Sequence, residues 1–389
     1  MKPLPYGKQL IDSDDIAAVA AQLGDDWLTQ GPTVAKFEEA LCEITGARYA
    51  IAVANGTAAL HLACLAAGVG AGDVGVTTTN TFVASANAIR YAGGTPHVVD
   101  IDPETGLLAM PALEAAVRAK KPKVIIPVDF AGAVADLPAI EKLGAVVIED
   151  AAHSLGAEYT HAGRTYRAAS CAHTQMAILS FHPVKHLTTG EGGAITTNDP
   201  ALDAKLRELR THGITRDPGK LSRNDGPWYQ EQQSLGYNYR LTDLQCALGI
   251  SQAKKFPGFL ARRREIAAQY DAAFASAPFA GQLSPLRVPA GVTSAYHLYV
   301  VRFTGPSLDA ITARRKHVYM ALRDAAIFPQ VHYVPVHAHP DYAEFVAGQQ
   351  FPGCDAYYAS CLSLPMYPAL TDGDVERVIS TLGAIVSAA

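Results

Sequence analysis

The segment SFHPVKHLTTGEGGAITT (residues 180–197) places a single lysine, Lys185, between an apolar strand and a glycine-rich turn. Most lysines are solvated surface cations, so a lone lysine usually has no special role. Among apolar strands, however, burial disfavours the ammonium form and lowers the lysine pKa. The resulting neutral amine can attack an aldehyde and form a Schiff base. The segment therefore indicates a reactive lysine, followed by glycines at 190, 192 and 193 that let the backbone approach a ligand closely.

The segment VVIEDAAHS (residues 146–154) ends another apolar strand at Asp150. In open α/β sheets, ligands bind beyond the carboxyl ends of the strands. A carboxylate at that place can pair with a protonated pyridine nitrogen, which lets the ring accept electrons. An aspartate that caps a helix would occupy the same place, so sequence alone leaves both roles open. His153 is close enough in sequence to share the site, although a lone histidine is more often structural.

The segment ANGTAAL (residues 54–60) predicts a short loop that leads into a helix. The free amides at a helix N-terminus favour an anion, and the Thr57 hydroxyl can add a hydrogen bond to a phosphate. Ser180 can supply a second hydroxyl, and Phe82, at the start of a later helix, can lie flat on a ring. Each signal is weak alone, because Gly-Thr helix starts are common and most phenylalanines belong to a core.

Short apolar runs alternate with helical runs of about ten residues, a pattern typical of βαβ units and a mostly parallel sheet. From about residue 240 the pattern changes to long helices and proline-punctuated strands. We therefore predict an α/β fold with a large domain, residues 1–250, and a smaller α+β domain, residues 251–389. The predicted strands are 74–78, 96–100, 123–128, 145–149, 176–181 and 193–197, and the predicted helices are 58–67, 82–91, 111–119, 136–143, 241–254, 259–275, 307–325 and 372–387, with Thr242 or Asp243 as a cap of the helix at 241–254.

Composition limits the classes of function that fit. The chain has 389 residues, of which 49% are hydrophobic and 18% charged, so a sizeable core is expected. A net charge of −5 without a basic patch argues against nucleic acid as a partner. The six cysteines have no CxxC spacing, which favours a reducing compartment over a disulfide framework or a zinc site. Because no signal peptide or membrane-spanning run is visible, we expect a cytoplasmic protein.

A phosphate cradle, a strand-end aspartate and a strand-end lysine follow one another in the order expected for the aspartate-aminotransferase fold, fold type I of the enzymes that use pyridoxal 5′-phosphate. With these elements in place, the chain resembles the DegT, DnrJ, EryC1 and StrS family of sugar aminotransferases. The matching segments are NGTAAL, TFVASANAI, EDAAHS, SF-x-x-K-x-L-T-T-G-E-G-G-A, R-T-H-G, GYNYRLTDLQCALG and VHYVPVH.

The resemblance implies a role for each matched residue. Lys185 would hold pyridoxal phosphate as a Schiff base, and Asp150 would pair with its ring nitrogen. Asn238 would reach across from a second subunit, which implies a homodimer with shared sites. The other implied cofactor contacts are His153, Gly56, Thr57, Phe82 and Ser180. The implied substrate contacts are Tyr6, Asp26, Trp27, Leu28, Thr29, Gly56, Ser180, Asn238, Gln330, Val331, His332 and Tyr333.

Within the family, the segments PYGKQLIDSDDI, DDWLTQGP and DGPWYQEQQSLGYNYR are most similar to the transaminases of pseudaminic acid biosynthesis. That similarity implies amination at C4 of a UDP-linked 4-keto-6-deoxy-N-acetyl hexose, with L-glutamate as donor and the pyridoxamine form of the cofactor between the half-reactions. The product would be UDP-4-amino-4,6-dideoxy-N-acetyl-β-L-altrosamine. Asn55, where many members have serine, and the long stretch ASCAHTQMAILSF leave room for a different sugar.

Other functions stay open at this point. Amination at C3, a dTDP- or GDP-linked sugar, or a non-sugar ketone such as a cyclitol would need the same chemistry. A pyridoxal-phosphate-binding sensor is disfavoured, since such regulators carry a basic DNA-binding segment. A metal site at His332, His337 and His339 is disfavoured because H-x4-H-x-H fits no standard zinc pattern.

Overall fold

The computed structural model describes residues 2–388. The strands are β1 (Leu4–Pro5), β2 (Tyr49–Val53), β3 (Val74–Thr78), β4 (Thr95–Val99), β5 (Val124–Ile126), β6 (Val146–Asp150), β7 (Glu158–His161), β8 (Arg164–Arg167), β9 (Met176–Ser180), β10 (Gly193–Thr197), β11 (Ile214–Thr215), β12 (Glu231–Gln232), β13 (Leu283–Pro285), β14 (Val292–Thr293), β15 (Tyr299–Phe303), β16 (Ile327–Phe328) and β17 (Cys361–Leu364). The α-helices are α1 (Ser13–Leu23), α2 (Pro32–Thr45), α3 (Gly56–Ala66), α4 (Ala84–Tyr91), α5 (Met110–Lys120), α6 (Leu137–Glu141), α7 (Pro200–Arg210), α8 (Asp243–Phe274), α9 (Leu308–Asp324), α10 (Pro352–Ser360) and α11 (Asp372–Ala388).

A seven-stranded sheet forms the centre of the molecule, in the order β2-β10-β9-β6-β5-β3-β4. Strands β9, β6, β5, β3 and β4 are parallel, and β10 runs antiparallel to both of its neighbours. The interior strands are apolar and buried on both faces, as a sheet covered by helices on each side requires. The predicted mostly parallel α/β fold is therefore confirmed, and the carboxyl ends of β6 and β9 lie side by side.

Helix α8 differs from the prediction, which divided this region into two helices around Pro257. The chain forms one helix from Asp243 to Phe274, with Pro257 inside it. Thr242 begins the helix through a capping box with Gln245, so Thr242, not Asp243, is the cap. Proline removes one helical hydrogen bond, but its ring lies on the exposed face. The opposite face of α8 packs into the protein, and this burial maintains the helix through the proline.

The C-terminal part has its own core, built from α8, α9, α11 and the sheet β13-β15-β17. The N-terminal strand β1 joins this part, because Leu4 pairs with Ile327 of β16 and packs into the same core. Helix α8 runs without a break through residue 250. The division into domains at about residue 250 stays a prediction.

Within residues 2–388, no helix has the length and apolar character that crossing a bilayer requires.

Candidate active site

A cleft of about 470 Å³ opens where the carboxyl ends of β6 and β9 meet the N-terminus of α3. Its size is within the range of small-molecule sites. Ten of the predicted site residues line it: Tyr6, Gly56, Thr57, Phe82, Asp150, His153, Ser180, Lys185, His332 and Tyr333. Residues from the N-terminal strand, the central sheet and the C-terminal part thus meet at one place, although they lie more than 300 positions apart in sequence.

Lys185 follows β9 in a tight turn, in which its backbone amide donates to the carbonyl of His182 (2.8 Å). Its side chain is enclosed by the walls of the cleft and is partly accessible from it. Burial lowers the pKa of Lys185 to about 8, while the nearby carboxylate of Asp150 opposes that shift. A substantial fraction of the amine is therefore neutral near physiological pH, as a nucleophile requires.

Asp150 ends β6 and is buried, and burial raises the pKa of its carboxyl group. The hydroxyl of Ser85 donates to Oδ2 (2.7 Å), and the amide of Ala152 donates to Oδ1 (3.2 Å). These bonds and the positive charge of Lys185 favour the carboxylate and limit the rise. Ser85 was not singled out from the sequence, although it lies three residues after Phe82 in the matched segment TFVASANAI.

The N-terminus of α3 forms one end of the cleft. The side chain of Asn55 caps the helix by accepting from the amide of Ala58 (2.8 Å). Gly56 and Thr57 occupy the first turn, where backbone amides point out of the helix. A Cβ atom at Gly193 would lie 2.5 Å from the backbone carbon of Asn55, so only glycine allows β10 to pass this close to the loop. Helix amides and the hydroxyls of Thr57 and Ser180 together can hold an anion.

The aromatic side chains of Phe82 and Tyr333 stand at the wall of the cleft. Phe82 is 59% exposed, and its ring lies 6.2 Å from that of Tyr333. Tyr333 hydrogen-bonds to Nε2 of His153 (2.9 Å), and burial lowers the pKa of His153 well below its usual value. A large exposed apolar ring at the wall of a cleft can cover a flat ligand.

Seven predicted site residues do not line the cleft of this chain. Trp27 is 55% exposed, and its neighbour Leu28 accepts from the amide of Asp243 (3.1 Å). Asn238 pairs with Thr211 in a bridge away from the cleft. The other four are Asp26, Thr29, Gln330 and Val331. Asp26 and Thr29 lie on the same segment as Trp27 and Leu28. Gln330 pairs with Ser363 of β17, and Val331 follows it directly.

Further residues of the cleft were missed by sequence reasoning. Asp129 and His297 both line it, and His297 packs on the ring of His153 with centroids 4.2 Å apart. Neither has a local motif that marks it, because each reaches the site only through the tertiary fold. Of the three histidines considered for a metal, His332 bonds to Ser363, whereas His337 bonds to Thr79 and Asp355. No cluster of three metal-ligating side chains occurs in the described part of the chain.

Residues 9–383 match the DegT/DnrJ/EryC1/StrS aminotransferase family. The chain belongs to this family. The spore coat polysaccharide biosynthesis protein SpsC of Bacillus subtilis is 38% identical over 99% of this chain and 98% of its own length. Helicobacter pylori PseC, an aminotransferase involved in the biosynthesis of pseudoaminic acid, is 29% identical with a TM-score of 0.89 over 100% of both chains. The putative sugar aminotransferase Spr1654 of Streptococcus pneumoniae, solved in its PLP-form, is 28% identical with a TM-score of 0.89 over 100% of this chain and 99% of its own.

The protein is thus a sugar aminotransferase of a family that uses pyridoxal phosphate, and the cleft fits that cofactor. The anion cradle at Gly56 suits a phosphate, because the first turn of α3 and the hydroxyls of Thr57 and Ser180 lie at the same end of the cleft. The buried carboxyl group of Asp150 suits a protonated ring nitrogen. The enclosed amine of Lys185, with its lowered pKa, suits an aldehyde. Three separate features of one cleft therefore match three chemical parts of the cofactor.

Proposed function

We propose that this sugar aminotransferase transfers the amino group of L-glutamate to C4 of a UDP-linked 4-keto-6-deoxy-N-acetyl hexose, the amination step of pseudaminic acid biosynthesis. The assignment to aminotransferase chemistry rests on one observation: the half-buried amine of Lys185 and the buried carboxyl group of Asp150 line the same cleft. The choice of sugar is supported by the likeness to PseC along the entire chain. We further propose that the enzyme works as a cytoplasmic homodimer.

Each side chain of the cleft has a task in this proposal. Lys185 is the covalent attachment point of the cofactor, and Asp150 holds a proton on the ring nitrogen. The hydroxyl groups of Thr57 and Ser180 would donate hydrogen bonds to the phosphate, together with the amides at the start of α3. Phe82 covers one face of the ring and excludes water from it. When bound, pyridoxal phosphate supplies an electron-accepting ring that stabilises negative charge at the α-carbon of the donor.

Lys185 would have a second task as a free amine, when glutamate occupies the cleft. Its free amine, which is neutral at moderate pH because burial lowers its pKa, takes the proton from the donor α-carbon. It would give up this proton within the same half-reaction, and in the second half-reaction, when the keto sugar occupies the cleft, it would move a proton in the opposite direction, onto the sugar carbon. Asp150 keeps its negative charge through both halves because Ser85 and Ala152 donate to its oxygens.

The substrate contacts predicted outside the cleft belong to the same proposal. Asp26–Thr29 and Gln330–Val331 would meet the nucleotide or sugar when the substrate extends beyond the cleft, and Tyr6, His332 and Tyr333 would meet it inside. Asn238 would act in the cleft of the partner subunit.

A second candidate keeps the chemistry and changes the sugar. The likeness to SpsC, at 38% identity, is greater than that to PseC, and SpsC is a protein of spore coat polysaccharide biosynthesis. This favours, as the alternative, amination of a different nucleotide-linked keto sugar destined for a surface polysaccharide. Position C3 and a dTDP or GDP carrier fall within this candidate.

The two candidates are separated by following the visible spectrum of the purified enzyme through separate half-reactions. Glutamate should first abolish the visible band of the lysine-bound cofactor, and candidate keto sugars are then added singly. Recovery of the band with only the UDP-linked 4-keto-6-deoxy-N-acetyl-L-hexose supports the pseudaminic acid assignment. Recovery with another sugar alone supports the second candidate. The variant K185A is the control, since it should show neither the original band nor its recovery.

A further inference from the structure

His186, the residue directly after Lys185, has no task in the proposed mechanism. Its side chain is buried, and Nε2 of the ring lies 3.1 Å from the backbone carbonyl oxygen of Ala295. A carbonyl oxygen can only accept a hydrogen bond, so the ring carries a proton on Nε2 and donates it. Ala295 lies 109 positions away in sequence. The bond therefore joins the neighbour of the reactive lysine to a distant segment of the chain.

The loop that carries Lys185, residues 182–187, depends on this bond for its orientation. Of the side chains in the loop, only that of His186 makes a hydrogen bond within residues 2–388. The backbone of the loop makes one more, from the amide of Lys185 to the carbonyl of His182, and both partners belong to the loop. Apolar packing, such as that of the buried Leu187, is not directional. The bond from His186 is thus the directional link between the lysine loop and the rest of the described chain.

The acceptor belongs to a segment, residues 294–297, whose backbone carbonyls all accept from arginine or histidine side chains. The four bonds are Ser294 from Arg264 (3.2 Å), Ala295 from His186 (3.1 Å), Tyr296 from Arg263 (3.1 Å) and His297 from Arg263 (3.2 Å). Both arginines lie on helix α8, and Arg263 is buried. The helix therefore fixes the segment to which His186 donates.

Gly132 holds the same segment from another element. Its carbonyl accepts from the amide of Ala295 (2.9 Å), and its φ of +105° belongs to the region that favours glycine. A Cβ atom at Gly132 would lie 2.2 Å from the backbone nitrogen of Tyr296, so the two stretches of backbone are in close contact. The carbonyl of Ala295 is therefore a well-fixed acceptor.

We infer that His186 is a positioning residue for Lys185, because its hydrogen bond to Ala295 ties the lysine loop to the segment that α8 holds in place. The tie keeps the amine of Lys185 enclosed in the cleft. Without it, the loop would turn more freely and the amine would meet more water. The inference rests on the proposed function only for the catalytic role of Lys185, since the tie itself is a property of the protein without its cofactor.

Variants of similar size separate the hydrogen bond from the volume of the side chain. H186Q keeps an N–H donor on a side chain of similar reach, whereas H186M is of similar length and has no donor. H186F is a second variant without a donor and keeps a ring. Burial, followed by the positive charge of Arg263, lowers the pKa of His186 well below its usual value, so the wild-type ring is neutral at pH 7. None of the three substitutions therefore changes the charge beside Lys185.

The enclosure of the amine can be measured in the protein without cofactor. Lysines are reductively methylated with formaldehyde over a series of pH values, and mass spectrometry of peptides follows Lys185, with the exposed Lys36 and Lys142 as internal references. We expect a midpoint near pH 8 for Lys185 in the wild type and in H186Q. In H186M and H186F we expect it about one pH unit higher, the size of one hydrogen bond, because a less enclosed amine is easier to protonate.

An unchanged or lowered midpoint in both variants without a donor would overturn the inference, and so would an equal rise in H186Q. These outcomes do not depend on which sugar the enzyme accepts or on whether Lys185 binds the cofactor.

The loaded enzyme gives a second readout. In H186M we expect kcat to fall by about tenfold, with KM for glutamate nearly unchanged, because the amine is misplaced and glutamate binding is not. H186Q should recover most of the lost kcat. The control is H317M, since His317 is exposed on α9, and it should behave as the wild type. Equal losses of kcat in H186Q and H186M, or a loss confined to KM, contradict the inference.

Discussion

At the scale of single residues, burial sets the reactivity of Lys185. An ordinary lysine at pH 7 is neutral in only about one molecule in several thousand. With the pKa lowered to about 8, roughly one Lys185 in ten is neutral at that pH. Asp150 acts in the opposite direction, because its carboxylate favours the ammonium form. The enclosure of the amine is therefore the larger effect, and the adjacent carboxylate moderates it.

This pKa predicts how attachment of the cofactor depends on pH. The rate at which the enzyme without cofactor takes up pyridoxal phosphate should rise with pH and level off above about pH 8, where Lys185 becomes neutral. It should not continue to rise toward pH 10, as it would for a solvated lysine. Stopped-flow absorbance over a series of buffers measures this rate. The variant K185A, which should show no uptake into the visible band and no turnover, is the control.

A second prediction for a single residue concerns Ser85, whose hydroxyl donates a hydrogen bond to Oδ2 of Asp150 at 2.7 Å. The variant S85A removes a bond that favours the carboxylate, so the pKa of Asp150 should rise further. We expect kcat to fall by about tenfold or more, since hydrogen bonds to charged groups contribute about 1.5–3 kcal/mol. The variant S85T retains a hydroxyl group and should keep most of the activity. Equal losses in S85A and S85T, measured by steady-state kinetics, would contradict this role.

At the scale of secondary structure, the phosphate cradle depends on how closely β10 passes the loop before α3. A Cβ atom added at Gly193 would meet backbone atoms of Asn55 and Gly56 at 2.5–2.7 Å, and backbone cannot yield as a flexible side chain does. The cradle is therefore shaped by a strand distant in sequence as well as by the helix itself.

The variant G193A should consequently move the start of α3 and weaken cofactor binding. We expect the affinity for pyridoxal phosphate to fall by at least about tenfold, with a loss of stability of about 1–3 kcal/mol. Fluorescence titration and thermal unfolding measure the two effects. The matched control is G70A, because a Cβ atom at Gly70 meets no other atom within 4 Å. Unchanged affinity in G193A would show that the cradle tolerates displacement of the loop.

At the scale of the whole molecule, the position of Asn238 bears on the assembly. Asn238 pairs with Thr211 and does not line the cleft of its own chain. The rings of Phe82 and Tyr91 are 59% and 53% exposed, and Trp228 is 73% exposed. Large exposed apolar side chains often mark an interaction surface. These observations support the proposed homodimer, in which each cleft would receive Asn238 from the partner subunit.

Mixed dimers of inactive variants test this arrangement. If the sites are shared, co-expressing K185A with N238A should restore roughly a quarter of the wild-type activity, because half of the dimers are mixed and each mixed dimer has one complete site. The control pair is K185A with D150N. Lys185 and Asp150 line the cleft of the same chain, so no mixed dimer regains a complete site. Activity that stays absent in the first pair would contradict a shared site.

The sequence by itself determined the features that depend on local patterns. The alternation of apolar and helical runs predicted the mostly parallel sheet, and strand β3 was placed at its observed bounds, 74–78. Lys185 and Asp150 could be chosen because Lys185 follows a buried strand and Asp150 ends one, and strand ends in such sheets meet at one edge. The resemblance to the family then supplied roles that the residues alone left open.

Only the tertiary structure decided the features that depend on distant packing. Helix α8 continues through Pro257 because the face of the helix opposite the proline is buried. From the local sequence alone, a proline inside a helix predicts a break. The sequence does not show the contacts of Ser85, Asp129 and His297, because these residues reach the cleft from separate elements of the fold. The lowered pKa of Lys185 has the same origin, since desolvation depends on everything that surrounds the amine and not on its neighbours in sequence.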